Sequence, residues 1–228
     1  APYDPTKQDL THRLEGMSLQ HIFGTDQLGR DVLSRMIYGA RISLCIGIFP
    51  TLISMILGTI LGLMSGYMGK TVDFIIMRLA DIVMAFPSLL LAMVVMYTLG
   101  SGIVNIFLAL TIVSWAGTAR VVRSQTLSLR EMEYVQAARS MGVGSFKTMF
   151  RHILPNCLAP LIVQATLKIG AAILSCASMS FLGLGIVPPT AEWGYMLSSG
   201  RNFIFSASHI ITFPGLAIAI TVLSFNLL

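Results

Sequence analysis

Five stretches of the chain are apolar over about the length of a membrane-crossing helix: Ile42–Met64, Ile82–Leu99, Ile103–Ala119, Cys157–Gly185 and Ile210–Leu228. Crossing the hydrocarbon core takes roughly 20 helical residues. Four of the stretches contain no Asp, Glu, Lys or Arg, and the fourth in order contains one, Lys168. None alternates apolar with polar positions, as the roughly 10-residue strands of a membrane barrel do. The pattern therefore predicts helices. Residues 1–41 are polar and contain Gly and Pro, and Asp31 to Ile42 predicts a short amphipathic helix leading into the first span. No compositional break, repeat or low-complexity segment divides residues 42–228, which read as one transmembrane domain.

Small residues and prolines refine that picture. Ser54, Gly58, Gly62 and Gly66 recur at intervals of four and share one face of the first span. Missing side chains on one face let a second helix approach closely. Pro50, Pro87, Pro160 and Pro214 lie in or near spans. Each is expected to kink or open its helix unless neighbours satisfy the freed carbonyl. Such a bundle suits the lining of a path better than a simple anchor.

The longest polar connection, residues 120–156, predicts a helix from Glu131 to Met141 with Glu131 and Glu133 in its first turn, where acids favour the helix dipole. Gly142 and Gly144 break it. A second short helix is expected from an N-cap at Ser145 to about Ile153, with Pro155 ending it and the next span following. Ala137 and Ala138 give the first helix a smooth flank. A helix–Gly–helix with exposed small residues suits docking into a partner's cleft.

Composition and charge place the chain. It has 228 residues, 55% hydrophobic and 11% charged, with mean hydropathy +0.79. A soluble domain carries about 25% charged residues, so lipid must cover the surface that charges do not. The net charge of +5 is uneven. Residues 1–41 balance five bases against five acids, whereas Arg120 to His152 sums to +4. Under the positive-inside rule that loop is cytoplasmic. Residues 1–41 and the loop 186–209 then lie outside and the C-terminus inside. Basic loops between spans report topology, which argues against nucleic-acid binding.

The connecting loop also resembles a family signature. Residues 131–156 (EMEYVQAARSMGVGSFKTMFRHILPN) are similar to the coupling loop of ABC-importer permeases. That loop reads Glu-Ala-Ala, three residues, Gly, nine residues, then Ile-x-Leu-Pro. Ala137, Ala138, Gly142, Leu154 and Pro155 match at the family spacing, while Gln136 replaces the acid and His152 the Ile. Residues 23–44 (FGTDQLGRDVLSRMIYGARISL), 180–197 (SFLGLGIVPPTAEWGYML) and 213–218 (FPGLAI) resemble the dipeptide, oligopeptide and nickel importer permeases of the "C" type. The resemblance implies an all-α polytopic bundle of the type I ABC importer kind. It implies six spans in the intact subunit, one before Ala1, and a short tail after Leu228. It also implies a bacterial inner-membrane location, a homologous permease partner, two ATPase subunits carrying ATP and Mg, and an external substrate-binding protein. The coupling residues it implies are Glu133, Gln136, Ala137, Ala138, Gly142, Leu154 and Pro155. The cargo the resemblance implies is a di- or oligopeptide, or alternatively nickel or a metal chelate.

The remaining chemistry is sparse. Met64 to Thr71 (MSGYMGKT) ends like a phosphate-binding loop, but Met64 stands in place of the first Gly and the stretch follows a membrane helix instead of a strand. No catalytic residue, metal ligand set or bound cofactor is expected. Cys45, Cys157 and Cys176 lack metal spacing and read as small apolar residues, and the 14 methionines read as space-fillers. Lys168 falls near mid-span, where a charge is costly and faces the bundle interior or a water-filled path. It is either a pathway residue or one half of a pair completed by a partner subunit. An ion-driven secondary transporter would want acids or His within its spans, and the four His lie outside them or at their margins. Asp26 and Asp31 with Arg30, Arg35 and Arg41 form either a local network of caps and ion pairs or a contact for the binding protein.

Overall fold

The computed structural model describes residues 1–186 and 188–228. Among them the chain is helical, in the order α1 (Val32–Met68), α2 (Lys70–Met84), α3 (Ser88–Leu99), α4 (Ile103–Leu129), α5 (Glu133–Ser140), α6 (Ser145–Thr148), α7 (Leu154–Phe181), α8 (Trp193–Gly200) and α9 (His209–Leu227). Helices α1, α4, α9 and the continuous run Ser145–Phe181 are each long and apolar enough to cross a membrane. The fifth stretch is different. Instead of one straight span, α2 and α3 meet at an 88° bend. A proline disfavours helical backbone in the residue before it, and around Pro87 the helix is interrupted, with α2 ending at Met84 and α3 beginning at Ser88.

Two compact units share these helices: Ala1–Phe49 with Met93–Ala109 and Lys168–Leu228, and Pro50–Ala92 with Leu110–Leu167. Helices α1, α3, α4 and α7 contribute residues to each.

In the first unit the N-terminal segment folds onto the head of α1. Asp31 caps α1 by accepting the Ser34 N–H at 2.8 Å and also meets His21 Nδ1 at 2.9 Å. α1 therefore starts at Val32 and runs unbroken for 37 residues, and the short amphipathic helix expected before the first span is simply its first turns. Asp26 draws in Arg30 at 2.7 Å and Arg35 at 3.4 Å, all three buried. Gly29 sits at φ +69°, and a Cβ there would lie 1.6 Å from the Asp9 carbonyl oxygen, so no other residue fits. This charge network is local, while Arg41 stands apart over the Tyr38 ring.

Glu192 is almost fully buried and caps α8, accepting the N–H groups of Gly194 at 2.7 Å and Tyr195 at 2.8 Å. Trp193 donates from Nε1 to the Met36 carbonyl at 3.0 Å, and Gly194 lies against the Ala177 backbone. The stretch 191–194 thus pins α8 to α1 and α7. Val32, Ile173, Trp193, Met196 and Ile210 form the core around it, with Phe23 stacked on Phe213 at 3.9 Å.

In the second unit α1 and α4 approach through glycine. A Cβ on Gly58, Gly62 or Gly66 would meet Trp115 O, Ala119 O or Thr126 Cβ at 2.6 Å in each case. Ser54, on the same ridge, is buried and donates to the Thr51 carbonyl at 2.9 Å. α2 is tied to α4 by ion pairs: Arg123 grips Asp73 with Nε at 2.5 Å and Nη2 at 2.6 Å, and Arg120 reaches Asp81 at 2.6 Å. Of the cysteines, Cys157 and Cys176 are buried as small apolar side chains, whereas Cys45 is exposed on α1.

Gly62→Leu is expected to force α1 off α4 and destabilise the protein by about 1–3 kcal/mol. Gly16→Ala, where a Cβ meets nothing within 4 Å, should stay within about 0.5 kcal/mol. Thermal unfolding in detergent compares the two.

Candidate functional site

The segment between α4 and α7 is held to the second unit from several sides. Val135 and Ala138 on one face of α5 are buried, and Val135 joins a core with Leu63, Tyr67, Met149 and Ile153. The Arg139 guanidinium lies 4.4 Å over the Tyr67 ring, and its Nε donates to the Tyr67 hydroxyl at 3.1 Å. Arg130 donates to the Gly66 carbonyl at 2.9 Å, which anchors the start of the segment to the end of the glycine ridge.

α5 ends in a Schellman turn. Gly142 N–H bonds the Arg139 carbonyl at 2.9 Å and Val143 N–H the Ala138 carbonyl at 3.1 Å. Gly142 holds φ at +77°, and a Cβ there would meet nothing within 4 Å, so only backbone conformation demands glycine.

The second helix differs from the sequence expectation in two ways. Its N-cap is Gly144, and Ser145 is its first helical residue. Nor does Pro155 end it. Met149–Ile153 forms a π turn, closed by Leu154 N–H on the Met149 carbonyl, and α7 follows directly with Pro155 as its second residue. A proline inside a helix has no N–H to donate and its ring crowds the carbonyl four residues back. A π turn widens the helix at that place, and Asn156 Nδ2 takes up the His152 carbonyl at 2.8 Å. α6, the π turn and α7 therefore form one rod from Ser145 to Phe181.

The residues singled out from sequence divide between two sides. Glu133, Gln136, Ala137, Gly142 and Pro155 are exposed and Leu154 is half-buried. Ala138 is buried, contrary to the expectation of two exposed alanines, because the face that carries Val135 turns both inward. Gln136 Nε2 bonds the Glu131 carbonyl at 3.1 Å, a link internal to the segment. Met141 and Phe146, which carry no family signature, are the most exposed apolar side chains here at 76% and 72%, and Phe146 packs on Phe150 at 4.4 Å. Met141 is the C-cap of α5 and Phe146 lies in α6, and large apolar residues flanking the helix breakers Gly142 and Gly144 are the signal that marks them. Lys168 lies half-buried midway along α7.

Residues 58–228, the whole glycine-ridge, loop and α7–α9 region, match the model of a family described as the inner membrane component of binding-protein-dependent transport systems. The chain belongs to this family. The permease is 48% identical to the dipeptide transport system permease protein DppC of Alkalihalophilus pseudofirmus, over 96% of this chain and 72% of that one. It is 46% identical to the di/tripeptide permease DppC of Pseudomonas aeruginosa, over 100% and 77%. With the glutathione permease GsiD of Escherichia coli it shares 47%, over 100% and 76%. A structure of the MetNI methionine ABC transporter superposes with a TM-score of 0.66 at 16% identity, covering 85% of this chain and 92% of that one. An amino acid ABC transporter gives 0.63 at the same identity, covering 85% and 90%. The fold is that of type I ABC importer permeases, and the chain is a multi-pass inner-membrane permease subunit, not an enzyme.

Gly142→Ala should cost about 1 kcal/mol through the left-handed backbone alone, and Gly142→Asn less, since Asn tolerates that region. Hydrogen exchange at Val143, whose N–H closes the turn, measures both.

Proposed function

We propose that this permease pairs with a homologous permease to form a path for short peptides, and that residues 131–156 couple it to two ATPase subunits. An external binding protein delivers the peptide to the side of residues 1–41 and 186–209. The +4 balance of Arg120 to His152 supports a cytoplasmic position for the segment. The observation that carries the coupling role is the unbroken rod from Ser145 to Phe181. A push received on α6 reaches a membrane-crossing helix along one continuous helical run, and α5 is joined to that run through the Gly142 turn.

The docking face of this reading is Glu133, Gln136, Ala137, Met141, Gly142, Phe146 and Pro155, all exposed, with half-buried Leu154 and buried Ala138 shaping it from behind. ATP-driven closure of the ATPase pair moves the two coupling segments together and turns the path from inward to outward, and hydrolysis lets it return. Lys168 is the candidate pathway residue. Relatives named for dipeptides, di/tripeptides and glutathione, itself a tripeptide, favour short peptides over nickel or a metal chelate, which the same architecture could also carry.

Ala137→Arg adds bulk and charge to an exposed position without disturbing the core. Uptake of labelled dipeptide should fall about tenfold or more, an effect of at least about 1.4 kcal/mol, with the permease pair intact and ATPase subunits lost on purification. Unchanged uptake and unchanged ATPase retention would refute the coupling role. Ala138→Asp should instead unseat α5, because it buries a charge.

Excess unlabelled dipeptide and excess glutathione, added separately to that uptake assay, test the cargo. Competition by either supports a short-peptide path, and competition by nickel salts alone overturns it.

A further inference from the structure

The α2–α4 ion pairs border a cleft of about 240 Å³ whose α2 wall is one helical stripe: Lys70, Asp73, Phe74, Arg78 and Asp81. Both carboxylates on that stripe are already neutralised from α4, Asp73 by the two-pronged grip of Arg123 and Asp81 by Arg120. Lys70 and Arg78 have no carboxylate within ion-pair distance among the described residues, and both are exposed. Arg78 lies 5.4 Å over the Phe74 ring, and both residues line the cleft. The cleft therefore holds two uncompensated positive charges.

The surroundings say what kind of anion fits. Ile76 and Ala80 turn α2 inward, leaving Phe74, Ile75, Leu79 and Ile82 exposed at 53% or more. A helix with basic residues on one edge and a bare apolar face beside them is built to lie at a membrane interface. Basic pockets between membrane helices take acidic lipid headgroups. A soluble phosphate would use the charges and leave the apolar face open, whereas a lipid uses both.

We propose that the cleft between α2 and α4 is a binding site for an anionic phospholipid. Its phosphate rests between Lys70 and Arg78, and its acyl chains run along Phe74, Leu79 and Ile82. The site stands apart from the coupling segment, so it holds whether or not the coupling role does.

The test uses the assembled transporter reconstituted in phosphatidylcholine with or without phosphatidylglycerol, with bound lipid counted by native mass spectrometry. Phosphatidylglycerol should be retained over phosphatidylcholine. Its affinity should drop about fivefold for Lys70→Gln or Arg78→Gln and about thirtyfold for both together. Lys70→Arg should keep it, and Arg201→Gln, remote in sequence, should not change it. The single variants carry the same test where the double variant fails to assemble. Equal retention by wild type and variants overturns the proposal, as does displacement of the lipid by inorganic phosphate at equal concentration. Loss of a partner subunit from the variants with lipid retention unchanged also overturns it, and makes the cleft a protein contact.

Discussion

Helices in lipid gain little by hiding apolar side chains from one another, because the acyl chains are as apolar as leucine. Close van der Waals packing has to hold the bundle instead, and in the second unit it rests on Gly58, Gly62 and Gly66. Their bare backbone lets α4 approach to where any Cβ would overlap Trp115, Ala119 or Thr126. Much else depends on that approach. The ridge ends at the Gly66 carbonyl that Arg130 grips, and the adjoining Tyr67 ring receives Arg139. α4 also presents Arg120 and Arg123 to the carboxylates of α2. The α4–α7 connection and the amphipathic α2 are both positioned from one helix contact.

The same economy explains the first unit. Three of its buried carboxylates are engaged: Asp26 between two arginines, Asp31 at the head of α1, Glu192 at the head of α8. Carboxylates placed at helix N-termini satisfy otherwise orphaned N–H groups. The N-terminal segment and the 191–194 stretch are thus two caps that fasten neighbouring helix ends, which is how polar loops can close a bundle whose spans carry almost no charge.

Much of this was legible from residue pattern. Apolar length located the four helices that are long enough to cross a membrane among the described residues, and four-residue spacing placed Ser54, Gly58, Gly62 and Gly66 on one face. The bend at Pro87 was harder to see, because hydropathy averages over a break and a proline alone does not say whether its helix bends or stops. Ala138 looked equivalent to Ala137; only the position of Val135 beside it decides which turns inward. Nothing local marks Glu192 for burial, since its environment includes Ser43, 149 positions earlier. Phe146 and Met141 lie outside the family signature, and whether an apolar side chain beside Gly142 or Gly144 is covered depends on how α5 and α6 pack.

The π turn at Met149–Ile153 has a geometric consequence of its own. A π turn is one residue more than the α-helix around it would use, and each helical residue advances the direction of a side chain by about 100°. That single surplus residue therefore sets the azimuth at which everything before it, from Phe146 back through α5, is displayed relative to α7. The compass bearing of the whole segment is written as a residue count, and chain length in five positions matters there more than the identity of any one of them.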